Sequence, residues 1–208
     1  MDLSFLLGRG YGDRSAGLLV GNRYSLNARQ IQALYRISCS EKIKEERNAK
    51  KLDLSMLNGA NIEIDGYNLL IVLEVALSGG FVFESMDGCY RDIAGIHGTY
   101  KKVEETIPAL EMVGKTLQEL GVAHVQWFFD APVSNSGRLK SLLYEMAVAN
   151  NFPWDVEIVN NPDKTLVERN NIVISSDSWI IDHADHWSNL GHFIIDNKIP
   201  EANILKLI

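Results

Sequence analysis

Apolar positions from residue 61 onward alternate between two periods. Short, mostly apolar runs at 61–65, 123–129 ("AHVQWFF"), 155–160 ("DVEIVN"), 171–175 ("NIVIS"), 192–195 ("HFII") and 204–208 ("ILKLI") predict strands. Between them, apolar residues three and four apart predict helices over 67–78, 103–120, 136–150 and 178–190. Strands that are largely apolar and separated by helices predict an α/β domain. Its sheet should be mainly parallel and covered on both sides, giving three layers.

The first 57 residues follow a different rule. They read as helical, at least from residue 25. "SLNARQIQALYRIS" offers Ser25 or Asn27 as a cap, with Ile31, Leu34, Tyr35 and Ile37 along one side. Ser38 and Glu41 then have capping-box spacing ahead of "KIKEERNAKKL". That segment is charged almost all round, so it requires a partner surface or stays in water. Asn58-Gly59 in "LNGAN" is turn chemistry. It divides a basic helical module, 1–57, from an α/β domain, 58–208.

Charge sharpens the division. Residues 1–55 hold ten Lys/Arg against six acids, a balance of +4, whereas residues 56–208 hold ten against twenty-one, a balance of −11. A basic arm beside an acidic body suits an anionic partner, although a solvated helical face gives the same pattern. The remaining composition is that of a globular protein, 46% hydrophobic and 23% charged over 208 residues. The start, "MDLSFLLGRGYGDR", lacks a basic stretch followed by a long apolar one, so no secretory leader is expected. No apolar run approaches the roughly 18 residues of a membrane span. Cys39 and Cys89 show no metal-ligand spacing, and one pair is no disulfide framework. A reduced, cytoplasmic setting is expected.

Carboxylates recur where strands end. Asp65 closes "IEID", Asp130 "VQWFFD", Asp177 "IVISSD" and Asp196 "FIID", while Asp163 follows another strand in "NNPDKT". A single strand-end Asp is often a turn former or helix cap, and Asp196, before "NKIP", reads as a turn residue. As a set, acids at the carboxyl ends of parallel strands can converge, because ligands of open α/β sheets bind there. Converging carboxylates repel, and burial adds to the cost, so they are best accommodated around a cation. Oxygen ligands without Cys or His favour Mg²⁺ or Mn²⁺, which can stabilise a phosphoryl group and activate water.

"IDGYNLL" resembles the first-strand signature of the NYN and PIN-like metal-dependent ribonucleases. There the Asp is a metal ligand, and the Asn fixes it or the substrate. "FFDAP" is similar to the strand-end Asp of the NYN group and "VISSD" to the "T-S-D" signature of PIN-like domains, while "NNPDKTL" stands where that group has a further acid. The resemblance covers about residues 61–196 in the same order. The whole chain, with "LLGRGY…VGNRYSL" ahead of "IDGYNLL", also looks like a prokaryotic, largely archaeal family known only as a domain of unknown function.

The nuclease resemblance implies a hydrolase with Asp65, Asp130, Asp163 and Asp177 as the catalytic, metal-binding set. Asn68 and Ser176 would lie beside them at the substrate. Two features depart from that pattern: Asp163 is followed by Lys164, and "SGGFVFESMDGCYRDIAGIHGTYKK" has no counterpart in a simple NYN domain. This insertion, 79–102, could form a lid, with Asp92 as an added ligand and Arg91 or His97 on phosphate. Its Gly95, Gly98 and Tyr100 belong to the same polar stretch.

"IIDHADHW" places His183 and His186 three apart on the predicted helix, but no distant histidine has matching spacing. Ile180, Ile181, Ala184 and Trp187 would form its buried face and the polar residues its solvated back. Candidate partners are RNA, held partly by the basic arm, and a second copy of the chain in a homodimer, with no role for a membrane. Two alternatives stay open. One is a non-catalytic RNA-binding or scaffold protein on the same fold. The other is a phosphatase of the haloacid dehalogenase type, which ranks low because Tyr67 stands where its second acid belongs.

Overall fold

Five strands, every pairing parallel, run through the centre of the body. The structure, a computed structural model, describes residues 1–93, 103–133 and 135–206. Strand β1 (Asn61–Asp65) is the middle one, between β4 (His124–Asp130) and β6 (Ile172–Ile174). β5 (Trp154–Val159) lies outside β4, and β7 (His186–Ser188) lies outside β6.

Alternation along each strand divides the core. Ile62, Ile64, Val125, Trp127, Phe129 and Ile174 point to one face. There they meet α5 (Gly66–Leu77), α6 (Thr106–Glu119), α7 (Ser136–Asn150) and α10 (Leu190–Lys198). Phe128 and Val173 point the other way, against Leu166 of α8 (Pro162–Glu168) and Ile180 of α9 (Ser178–His183).

The path of the chain follows from those faces. From β1 it moves outward through β4 to β5 using helices on the first face. It then returns beneath the sheet by α8 to reach β6. Neighbouring strands β1 and β6 are thus followed by helices on opposite faces, α5 and α9, which opens a switch point between their carboxyl ends. Gly66 lets α5 start at once after β1, because a Cβ there would come within 2.3 Å of the Phe129 ring.

A second sheet joins β2 (Phe81–Glu84), antiparallel to β3 (Tyr90–Arg91) and parallel to β8 (Asn203–Lys206). The predicted terminal strand therefore exists but belongs to this smaller sheet. Part of the 79–102 insertion builds its hairpin, while residues 94–102, including His97 and Tyr100, lie outside the described residues.

Two other predicted elements change. "HFII" lies within α10, where Leu190, Ile194 and Ile195 are buried at helical spacing behind the Asn189 cap, so Asp196 is helical and closes no strand. The helix expected over 178–190 ends at His183, where Ala184 turns extended. Trp187 and Ser188 then enter the sheet as β7, separating His186 from the helix that carries His183.

The N-terminal segment has four helices: α1 (Asp2–Gly8), α2 (Asp13–Arg23), α3 (Ala28–Ile37) and α4 (Glu41–Lys50). Asn27 and Gln30 form a reciprocal capping box on α3. α4 is capped by Ser40, which accepts from Ile43 N at 3.3 Å, rather than by Ser38. The charged helix α4 packs on the body through Arg47, buried against Asp87 and Asp182. After it, Lys51 bridges to Trp187, and Leu52 N donates to Trp187 O at 2.8 Å. Among the described residues no helix is long and apolar enough to cross a membrane.

Candidate functional site

Asp65 closes β1 and Asp177 follows β6, the two strands that form the switch point. Asp65 ends β1 buried, with 7% of its surface exposed. It precedes α5, yet its hydrogen bond runs sideways, from Ser175 Oγ to Oδ2 at 2.8 Å. Burial raises its pKa to about 7, and the neighbouring charges of Asp163 and Asp177 push in the same direction against the Ser175 bond. Asp163, in the first turn of α8, is raised by partial burial, then by Asp177 and Asp130. Burial also raises Asp130, whose Oδ1 is enclosed without a hydrogen-bond partner among the described residues. Four carboxylates from four chain segments therefore share one electrostatic neighbourhood.

Asp177 has two roles. Its Oδ1 caps α9, accepting from Trp179 N at 2.8 Å and Ile180 N at 3.2 Å. Its own N–H donates to Ser175 Oγ at 3.0 Å, so Ser175 ties Asp65 to Asp177. Asn68, one turn into α5, accepts from Ser176 N at 2.7 Å and from Ser176 Oγ at 2.8 Å. The pairs Asp65–Ser175 and Asn68–Ser176 thus lace β1–α5 to β6–α9 across the crevice. Ser175 was not singled out in the sequence, although its parity with Val173 and Asp65 places all three on the same face.

Other expected contacts are arranged differently. Arg91 is buried, its guanidinium bonded to Asp87, Ser85 Oγ and, through Nε at 2.7 Å, the carbonyl of Ser176. It touches the site from behind instead of facing a phosphate. Asp92 is buried next to it, with its carbonyl accepting from Arg36 Nη1 at 2.9 Å. Asp196 lies apart, accepting from Tyr90 Oη at 2.7 Å and pairing with His192 at 2.9 Å. His183 bonds the Trp179 carbonyl of its own helix.

A second buried carboxylate on β1 also escaped notice. Glu63 shares the face of Asp65 and pairs with Arg169 at 2.6 Å and Asn171 at 2.8 Å, anchoring the segment that leaves α8. Its Oε2 is enclosed without a hydrogen-bond partner among the described residues.

Among the described residues no group of three or more His, Cys, Asp or Glu is disposed to hold a metal ion as it stands. The chemistry of the set nonetheless fits a hard cation: the charges of Asp163 and Asp177 raise Asp65, those of Asp177 and Asp130 raise Asp163, and one Asp130 oxygen is enclosed with no hydrogen-bond partner among the described residues. Mg²⁺ commonly uses one or two carboxylates and completes its shell with water and phosphate.

Residues 54–193 match the family described as a domain of unknown function, DUF5616. The chain belongs to this family. Residues 1–50 match a second description, protein of unknown function DUF434, so the two matches meet near the join of α4 with the body. The chain is also 32% identical over 180 residues to "Uncharacterized protein MJ0935" of Methanocaldococcus jannaschii, covering 86% of each chain. No solved structure matches.

Proposed function

We propose that the body is a PIN-like domain and that the protein is a Mg²⁺- or Mn²⁺-dependent ribonuclease, hydrolysing RNA phosphodiesters at Asp65, Asp130, Asp163 and Asp177. One observation supports the reading: the charges of Asp163 and Asp177 act on Asp65, and those of Asp177 and Asp130 act on Asp163, so acids from the ends of β1, β4 and β6 and the start of α8 form a chain of neighbours. Among the described residues no arginine or lysine is a leading cause of the shifts of Asp65 or Asp163, and a bound cation would supply that counter-charge.

The four aspartates would hold the cation, which when bound supplies charge neutralisation at phosphate and an activated water. Ser175 fixes Asp65 and the Asp177 N–H together, while Asn68 and Ser176 fix the crevice between α5 and α9. Asp177 keeps Oδ2 outside its cap bonds.

The basic arm adds phosphate contacts, but not with all of its charge. Arg36, Arg47 and Lys50 bond to the body, whereas Arg9, Arg14, Arg29 and Lys42 are exposed. Exposed cations account for sequence-independent binding.

The test is RNA cleavage in Mn²⁺ and RNA binding across a salt series. Asp65→Asn is expected to abolish cleavage while retaining binding. Replacing Arg9, Arg14, Arg29 and Lys42 with Gln should weaken binding and flatten its salt slope. An unchanged slope would remove the arm from the RNA surface. Wild-type binding without cleavage in any divalent metal would favour the non-catalytic reading.

A further inference from the structure

Behind the carboxylates lies a buried ionic network that the reaction described above does not use. Asp87, with no side-chain exposure, occupies the turn between β2 and β3. Its Oδ1 accepts from Ser85 Oγ at 2.6 Å, Arg91 Nη1 at 3.0 Å and Cys89 N at 3.1 Å. Its Oδ2 accepts from Arg91 Nη2 at 2.8 Å and from Arg47 Nη1. Gly88, at φ +78°, lets the turn fold inward in this way. Arg47 comes from α4 and also grips Asp182 of α9 at 2.7 and 2.9 Å.

The network ends at the candidate site. Arg91 Nε donates to the carbonyl of Ser176, and the N–H and hydroxyl of the same residue donate to Asn68. Ser176 is thereby held on every polar group it has. On one side of it stands Ser175, bonded to Asp65, and on the other Asp177. Rotation of the Ser176 peptide would move both neighbours together. Burying two arginines and an aspartate is a costly way to pack a core that apolar residues could fill, so a geometric role is the more economical account.

We propose that Arg91 and Arg47 are positioning residues: Arg91 pins the Ser176 carbonyl so that Ser175 and Asp177 present correctly to Asp65, and Arg47 aligns Arg91 through Asp87. The N-terminal segment is then a control element of the site, because its docking through α4 sets the far end of the relay. The catalytic meaning of this rests on the nuclease reading. The positioning itself does not.

The experiment uses the full chain with Arg91→Lys, Arg47→Met and Arg47→Lys. Amide hydrogen exchange at Ser176 and Asp177 reports the turn, with Ile64 and Trp127 in the sheet as controls. In Arg91→Lys and Arg47→Met, exchange at 176 and 177 should rise about tenfold or more while the sheet is unmoved. Arg47→Lys should recover part of the protection. Where RNA is cleaved in Mn²⁺, kcat should fall roughly 10–100-fold with KM little changed, because neither arginine meets substrate.

Unchanged exchange at Ser176 and Asp177 in folded Arg91→Lys overturns the proposal, as does a loss spread evenly over the sheet. If Arg47→Met does not fold, Arg91→Lys, which keeps the charge and loses the fork, decides alone. A wild type that cleaves no RNA ends the nuclease reading, yet the exchange data still decide the relay.

Discussion

Asp87 and Asp65 are both buried, and each accepts a hydrogen bond from a serine hydroxyl, but their electrostatic company is opposite. Burial alone would raise Asp87, yet Arg91, with its hydrogen bonds, and the Ser85 and Cys89 donors hold it well below the usual carboxylate range. Asp65 meets Asp163 and Asp177 instead and is raised to about 7. A carboxylate placed between arginines is complete within the chain. One placed among carboxylates is complete only with something added. The first is a fastening, and the second is the proposed site.

Breaking the fastening should have the larger consequence. Asp87→Asn leaves Arg47 and Arg91 buried together, and a loss of about 3–5 kcal/mol is expected in urea unfolding. A loss below about 1 kcal/mol would place the two aspartates in the same class.

Asp65→Asn should act in the other direction. The folded protein binds the Asp65 proton up to about pH 7, whereas the unfolded chain releases it near its ordinary value of 3.8. Between those values the native state carries more protons, so stability falls as pH rises and levels off above about 7. The variant removes that fall, gaining up to about 4 kcal/mol over the wild type at pH 8 and little near pH 4. Denaturation at both pH values reads the difference, and a wild type whose Asp65 contribution is flat across this window contradicts it.

Mg²⁺ or Mn²⁺ should offset the same penalty. At a hundredfold excess over Kd the wild type gains about 2.7 kcal/mol, raising Tm, and Asp65→Asn and Asp177→Asn lose most of the shift. An equal shift in all three proteins would locate metal binding elsewhere.

Glu63 supplies the intermediate case. It is buried like Asp65 but paired with Arg169, whose side chain is 47% exposed. Glu63→Gln should cost about 1–2 kcal/mol, less than Asp87→Asn and opposite in sign to Asp65→Asn. A gain in stability would instead group Glu63 with the site.

The sequence made one side of this comparison visible and hid the other. Strands 61–65, 123–129, 155–160 and 171–175 could be read because each is a short, largely apolar run set between helical stretches, and their order puts terminal acids at one end. Asp65, Asp130, Asp163 and Asp177 stood out for that reason. "HFII" misled because a run of three apolar residues fits a buried helix and a buried strand equally well. Asn161-Pro162 is a cap followed by proline in the first turn of α8, a start signal that apolar spacing alone does not reveal.

Nothing local to Arg47 distinguishes it from its charged neighbours in α4. Its partners lie 40 and 135 residues away, a pairing that only the fold creates. The Asp-Gly of "SMDGCYR" signalled a turn, but not that the turn points inward.

The bridge from Lys51 to Trp187, with the Leu52 N–H on the Trp187 carbonyl, occupies the outer side of β7. An uncovered outer strand offers unpaired backbone groups to any extended segment that meets it, including one from another copy. By sealing that rim, residues 51 and 52 limit how far the sheet can grow. A body cut free of its first 53 residues would bare β7, and its characteristic failure would be aggregation by strand addition. That hazard gives the chain a reason to keep both segments joined, independent of any chemistry at the aspartates.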